Sequence, residues 1–416
     1  MGCFLEMKAD VAVIGGGAAG LMTALTAAER GLSVVIAEPN EKLGRKLRIT
    51  GKGRCNLTNA CSVREFLQNV PQNAKFLYSV LNAFPPEETI RFFEQIGVSS
   101  KIERGKRVFP VSDSANDLAD ALVNFCYKRG VRVKKGRISY VEKDNDGMFV
   151  LQTDDGKLYA DAVVICTGGK SYPATGSRGD GYLFAERFGH NIIPQRPSLI
   201  PLECEEKFCE SLAGFAPKNV RLTAEESGKE IFSDLGEMLF THFGVSGPLV
   251  LSASARMRFP NKCKLYIDFK PGLDEQALDE RVLRDFHSYS NRDLINSLDD
   301  LLAKSFIPVF VRVTGMDSHL KVHDITREQR KEMVKLLKHF PLTIAGTRPI
   351  DEAIVTSGGV DVKEVNPRTM ESKLVSGLFF AGEVLDVDAF TGGFNLQIAW
   401  STARCAGLHV LAETRC

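Results

Sequence analysis

Val11–Ala24 reads VAVIGGGAAGLMTA, and three textures follow one another within it. Ala9 to Ile14 concentrates small and β-branched side chains, the pattern of a parallel strand buried on both faces. Gly15, Gly17 and Gly20 then fall at G-x-G-x-x-G spacing. The first glycine permits a tight turn, the second lets a diphosphate reach the backbone, and the third lets the following helix pack on its strand. Ala18 and Ala19 open that helix, whose unpaired N–H groups and positive dipole end suit a diphosphate. Leu21 to Arg30 continues as an alanine-rich helix, Gly31 ends it, and Ser33 to Ala37 (SVVIA) forms a second apolar strand finishing at Glu38. An acid about 20 residues past the glycines is placed to accept hydrogen bonds from a ribose diol, and it disfavours a 2′-phosphate there. The predicted unit is therefore βαβ with a bound nucleotide.

Pro39 to Asn59, PNEKLGRKLRITGKGRCNLTN, is basic and rich in glycine. A run of this composition is not a helix face. Its position after the second strand predicts that it folds back over the nucleotide, with Arg45, Lys46, Gly51, Gly53, Arg54, Cys55 and Asn56 as cofactor contacts. Cys55 lies where neighbouring cations would stabilise a thiolate.

Further along, a meander of strands near 131–135, 137–143, 147–152 and 157–160 leads to the apolar strand Ala162 to Cys166 and the turn Thr167-Gly168-Gly169, a second cofactor contact. Asp180 reads as a helix cap. From about 196 to 272 short strands and turns prevail, and 273–341 is mainly helical, which marks 196–341 as an inserted β-plus-α domain between the halves 1–195 and 342–416. Within the insert, His242 lies in GEMLFTHFGVSGP (236–248) and is a candidate proton donor together with Tyr172 and Cys55. Ser246 does not match the nucleophile elbow of hydrolases. Near the C-terminus Leu378 to Gly382 is a strand ending in glycine, followed by Glu383 and Asp386, and Gly393-Phe394-Asn395-Leu396 opens a last helix. A helix N-terminus there would stabilise negative charge on a reduced flavin. The predicted architecture is thus α/β: a Rossmann-like FAD-binding domain of the two-dinucleotide-fold type, with Gly382, Glu383, Asp386 and 393–396 completing the cofactor site.

The 416 residues are 25% charged and 44% apolar with a formal net charge of +1, a composition of globular proteins that favours neither nucleic acid nor an anionic membrane. The first ten residues, MGCFLEMKAD, lack the features of a signal peptide. Ten cysteines show no C-x-x-C pair and no metal spacing, which points to a reduced, cytoplasmic setting without a metal.

With VIGGGAAG, KLRITGKGRCNLTN, GEMLFTHFGVSGP, TSGGVDVKEVNPRTMES and GLFFAGEVLDVDAFTGGFNLQIAWSTARCAG in hand, the chain resembles, end to end, the BaiN-type (YhiN-like) family of FAD-dependent oxidoreductases. That resemblance implies a split FAD domain and a reductase of activated C=C bonds in a small, possibly steroid-like acceptor. Only one nucleotide fingerprint is present, so NAD(P)H is expected to bind transiently as reductant. Two rivals stay open: a flavin oxidase using O₂, and a flavin-containing RNA-binding or RNA-modifying protein favoured by the basic 45–54 run. The partner expected is a small molecule, not nucleic acid or membrane.

Overall fold

The computed structural model describes residues 7–412; most of the segment read for a signal peptide, with Cys3 and Cys416, lies outside them. The first strand, β1, spans Met7–Ile14, and helix α1 spans Ala18–Glu29. Strand β2 covers Val34–Glu38 and is buried throughout. Strand β3 is the short Thr58–Asn59. Strand β4, Gly156–Ile165, is a single ten-residue strand where two were expected, because no glycine or proline interrupts Lys157 to Ile165. Its first half pairs antiparallel with Phe149–Thr153, and its second half pairs parallel with β6, Leu378–Phe380. Strand β5, Val355–Val360, pairs antiparallel with Ile192–Ser198.

The main sheet runs Arg132–Lys135, β2, β1, β4, Phe149–Thr153, Ile138–Lys143, with β6 added on β4. Val11 lies between Val34 of β2 and Ala162 of β4. These strands are continuous apolar runs because both faces are covered. Helix α2, Phe394–His409, packs on α1. Thr23 Oγ1 donates to the Ala403 carbonyl at 3.2 Å, and Gly407 leaves no room for a Cβ beside Thr26. Arg30 closes the far end of α2 by donating to the carbonyls of Gly407 (2.9 Å) and Val410 (2.6 Å), a cation at the negative pole of a helix.

The contacts divide the chain into two units, residues up to Ser198 with those from Ile350 onward, and Leu199–Pro349. The expected edges at 195/196 and 341/342 therefore shift. Residues 196–198 continue the strand that pairs with β5, while Phe340–Thr347 pairs with Cys263–Asp268 and Leu202–Cys204 inside the second unit. That unit holds a seven-stranded antiparallel sheet in the order 229–236, 220–226, 263–268, 340–347, 202–204, 244–246, 239–241. Helices Glu275–Ser288, Ile307–Thr314 and Arg327–Lys338 accompany it. Its core centres on Phe306, whose ring lies 4.5 Å from that of Phe269 and 5.2 Å from that of Phe340.

Candidate cofactor-binding site

The glycine turn is built by three different steric demands. Gly15 adopts φ +102° and donates its N–H to the Ala37 carbonyl at 2.9 Å; a Cβ there would stand 2.6 Å from the Cys166 carbonyl oxygen. Gly20 packs so tightly on the Gly15 carbonyl that no side chain fits. Gly17, the N-cap of α1, is the opposite case: no described heavy atom lies within 4 Å of a Cβ placed on it, and no side chain caps the helix. Open space above an uncapped helix N-terminus, with Ala18 and Ala19 behind it, is a cradle for a diphosphate. Glu38 is buried at the tip of β2. Its carboxylate accepts the Gly16 N–H at 2.7 Å and the Asn40 N–H and Nδ2 at 2.9 and 2.7 Å. Each carboxylate oxygen has two lone pairs and three of the four are taken, so Oε2 keeps one acceptor site for a ribose hydroxyl.

The 39–59 loop returns to this turn, with the Gly44 N–H donating to the Gly16 carbonyl at 2.8 Å. Most of its cations are committed within the protein. Arg48 pairs with Asp120 at 2.7 Å, Lys46 with Glu383 at 2.7 Å, and Arg45 donates to Asn40 Oδ1 at 3.0 Å. Arg54, expected at the cofactor, instead pairs with Glu103 and Asp113 and stacks over Phe109 at 4.2 Å. Of the basic 45–54 run, Lys46, Arg48 and Arg54 are thus paired with acids of the protein itself. Cys55 corrects a second expectation: its side chain is fully buried, and burial pushes the thiol up to about 12. It is a packed thiol beside Thr50 rather than a stabilised thiolate. Gly51 and Gly53 take positive φ, and Asn56 carries a buried Oδ1 without a hydrogen-bond partner among the described residues, placed against Gly393.

Glu383 is the hub of the second cluster. One of its oxygens accepts Lys46 Nζ at 2.7 Å, and the other accepts Ser171 Oγ at 2.9 Å and the Thr356 N–H at 2.8 Å. Lys46 also reaches Ser171 Oγ at 2.8 Å, and Thr356 Oγ1 accepts the N–H groups of Lys170 and Ser171 at 2.8 and 3.0 Å. The loop after β4 is thereby tied to β5 and to the end of β6. Thr167, Gly168 and Gly169 line this join, with Ser177 Oγ donating to the carbonyls of Thr167 (3.2 Å) and Gly169 (2.7 Å). Ser171 and Thr356 were not anticipated from sequence; the T-S-G-G stretch at 356–359 was their signal, since Gly358 and Gly359 take φ +88° and +132° against backbone carbonyls. Tyr172 stands at φ +51°, an uncommon conformation for a bulky residue, with Lys46 Nζ 5.8 Å from its ring centre. Asp180, read as a cap, instead pairs with Arg137.

Gly382 donates to Thr402 Oγ1 at 3.0 Å, which seats the end of β6 on α2. Asp386 accepts Asn73 Nδ2 at 2.9 Å, and burial holds its carboxyl above the usual range. Asp388, two residues on in the D-x-D pattern and also unforeseen, is buried against Ser198 Oγ at 2.6 Å and is raised by the same cause. Gly393 (φ +98°) is the N-cap of α2 and lies close against the Thr58 carbonyl and Asn56 Oδ1, and no side chain caps the helix, so Phe394, Asn395 and Leu396 begin a second uncapped N-terminus. The Asn395 side chain folds back on Ala389, accepting its N–H at 2.9 Å and donating to its carbonyl at 2.7 Å. Trp400 Nε1 donates to the Leu57 carbonyl at 2.9 Å, and Asn59 Nδ2 to that of Gly392 at 3.0 Å, which fixes β3 along α2. Two uncapped helix N-termini and an acid with spare acceptor capacity, all within one unit, fit the diphosphate, flavin edge and ribose of FAD.

His242 belongs to the second unit, exposed at the tip between strands 239–241 and 244–246, its ring edge-on to Phe243 at 5.0 Å. Among the described residues no group of three or more His, Cys, Asp or Glu is arranged to hold a metal, and no helix is long and apolar enough to cross a membrane.

The model of the HI0933-like protein Rossmann domain matches residues 9–409. The chain is 31% identical to a 3-dehydro-bile acid delta(4,6)-reductase from Clostridium scindens, covering 95% of this chain and 98% of that one. It is 33% identical to ribosomal RNA dihydrouridine synthases from Haemophilus influenzae (96% and 97% covered) and Escherichia coli (97% and 98%). Among solved structures, 3-ketosteroid delta1-dehydrogenase from Sterolibacterium denitrificans shares the fold at TM-score 0.52, with 12% identity over 97% of this chain and 99% of that one.

Proposed function

Because this chain belongs to the HI0933-like Rossmann family and is an FAD-dependent oxidoreductase, we propose that it reduces a carbon–carbon double bond conjugated to a carbonyl, with NAD(P)H as the hydride source. One observation carries this reading. Relatives that match over nearly their whole length are named for two different substrates, a 3-oxo bile acid with C4 and C6 double bonds and the uracil of ribosomal RNA, and both reductions add a hydride and a proton across a double bond polarised by a carbonyl. Bound FAD supplies the hydride through its N5.

The residues of this chain do the rest. Gly17 and the first turn of α1 would hold the diphosphate, Glu38 the ribose, and the uncapped first turn of α2 the flavin edge that gains negative charge on reduction. Hydride arrives at the carbon β to the carbonyl, so a proton must reach the α carbon. Tyr172 is the donor we assign: strained backbone collects at functional sites, and its ring is held beside the Lys46–Glu383 pair. Cys55, a buried thiol, drops out of this role, and His242 is the second candidate.

The test is an anaerobic titration of the yellow holoprotein with NADH and NADPH, followed by reoxidation with a cyclic enone and with a uridine-containing RNA. Bleaching by a nicotinamide and recovery by a conjugated acceptor is the expected result; no bleaching by either nicotinamide overturns the reading. Tyr172→Phe should leave the bleaching rate unchanged and slow reoxidation about 100-fold. Rapid reoxidation by air alone would favour the oxidase. Two relatives are named for ribosomal RNA, which makes a uracil base the second acceptor to weigh against the small enone.

A further inference from the structure

His190 is buried between two residues of the TSGGVDVKEVNPRTMES stretch, 356–372. Its Nδ1 lies 3.1 Å from Glu364 Oε2 and its Nε2 lies 2.8 Å from Ser372 Oγ. The hydrogen bonds at Ser372 decide which ring nitrogen carries the proton. A hydroxyl oxygen has two lone pairs, and here they accept the N–H groups of Leu374 and Val375 at 3.0 and 2.9 Å. The single O–H is left for Nε2, so Nε2 accepts, and the ring proton sits on Nδ1 and is donated to Glu364. Glu364 Oε2 is itself held by the Asn191 N–H at 2.9 Å.

Ser372 is the corner of a return onto β6. Its N–H donates to the Leu378 carbonyl at 2.7 Å, the Phe380 N–H donates to the Met370 carbonyl at 3.1 Å, and Glu371 pairs with Phe379. The His190 ring stands edge-on to Phe380 at 4.8 Å, and β6 runs on into Gly382 and Glu383 of the cofactor site. Glu364 is the charge that meets the ring. Around it, Glu371 Oε1 accepts the Gly377 N–H at 2.9 Å, Lys373 Nζ donates to the Lys363 carbonyl at 2.7 Å, and Asp361 accepts the Lys363 N–H at 3.0 Å. On the helix Asp180–Arg187, Glu186 is exposed and Arg187 lies over the Tyr140 ring at 4.4 Å. Burial holds the imidazole below its ordinary pKa, against the pull of Glu364.

We propose that His190 is a positioning residue that seats β6, and with it the FAD-binding acid Glu383, only while its ring is neutral, so that acid loosens the hold on the cofactor. A proton taken from solvent at Nε2 places a new N–H against an oxygen whose lone pairs are both filled. The Ser372 hydroxyl must then turn away and one of the turn's N–H bonds must break, leaving a buried donor without a partner. The sign follows from linkage. A histidine whose charged form is disfavoured in the folded state contributes its full stabilisation above its ordinary pKa of 6.5 and loses that contribution as pH falls below it. The inference rests on FAD being held at the Glu383 end of β6 and is independent of which acceptor is reduced.

The experiment uses the flavin-loaded full chain labelled with ¹⁵N-histidine, with the tautomer of His190 read by NMR and the released flavin and urea midpoint followed from about pH 7.5 to about pH 5.5. Expected are an Nδ1–H tautomer at the upper end, and flavin release with a falling urea midpoint towards the lower. His190→Gln, whose amide can donate to Glu364 and accept from Ser372, should hold flavin as the parent does at the upper end and retain it at the lower, where the parent has released it. Glu364→Gln removes the charge that favours the protonated ring, so the NMR midpoint of His190 should fall and the acid loss should deepen. An Nε2–H or charged ring at the upper end overturns the proposal, as does a His190→Gln profile that follows the parent's. The tautomer and the urea midpoints decide it even for protein that carries no flavin, an outcome that would count against the FAD reading alone. Failure of both nicotinamides to bleach the flavin would count against the reductase reading alone.

Discussion

At the scale of single residues, the glycines of the first turn separate folding from binding. Gly20 has no room for a Cβ against the Gly15 carbonyl, whereas Gly17 faces open space at an ordinary φ of −80°. Gly20→Ala should therefore cost about 1–3 kcal/mol through overpacking, seen as a lower urea midpoint. Gly17→Val should melt as the parent does yet lose at least about 10-fold in FAD affinity, since its side chain fills the phosphate cradle; flavin absorbance after gel filtration reads this directly. A Gly17→Val protein that keeps its yellow colour would remove the cradle from the site. Cys55 gives a pH test. Its thiol is pushed up to about 12 by burial, so iodoacetamide should leave it unmodified at pH 9, where an exposed thiol near its ordinary value reacts. Because folding raises this pKa, the stabilising contribution is complete below the free-thiol value and falls away as pH climbs from there towards 12. Peptide mapping that finds Cys55 alkylated in the folded protein at pH 8 would contradict its burial.

At the scale of elements, the Lys46–Glu383 pair decides how the loop after β2, the loop after β4 and the end of β6 stay together. Removing the carboxylate strands an ammonium that is only 24% exposed, together with the Thr356 N–H and the Ser171 hydroxyl. Allowing for partial solvent screening, Glu383→Ala should cost about 2 kcal/mol in the flavin-free protein. Adding Lys46→Met should recover part of that loss, because the stranded charge disappears with its partner. Strictly additive urea midpoints in this cycle would mean the two groups do not act as a pair. Sequence made the helices and the glycine turn visible, since their periodicity and spacing are local. It missed Ser171, Thr356 and Asp388 because their partners, Glu383, Lys170 and Ser198, lie between 186 and 212 residues away and only chain return brings them together.

At the scale of the whole molecule, the second unit enters and leaves through adjacent strands. Leu202–Cys204 pairs antiparallel with Phe340–Thr347 inside that unit, and Ile192–Ser198 pairs antiparallel with β5 inside the first. Each unit also has its own apolar core. Residues 199–349 expressed alone should thus fold, with a cooperative thermal transition and dispersed amide resonances. A broad, non-cooperative melt would show that the insert depends on the rest of the chain.

Local chemistry determined the nucleotide fold by itself. Three glycines at fixed spacing, two buried strands and a terminal acid leave the backbone few alternatives, so the βαβ unit and a last helix opening at Gly393 were legible without coordinates. Tertiary structure alone decided which charges remained available. The basic loop spends Lys46, Arg48 and Arg54 on Glu383, Asp120, Glu103 and Asp113, and Cys55 is desolvated instead of activated. Charge and reactivity depend on what distant segments place within a few ångströms, and spacing along a chain does not encode that.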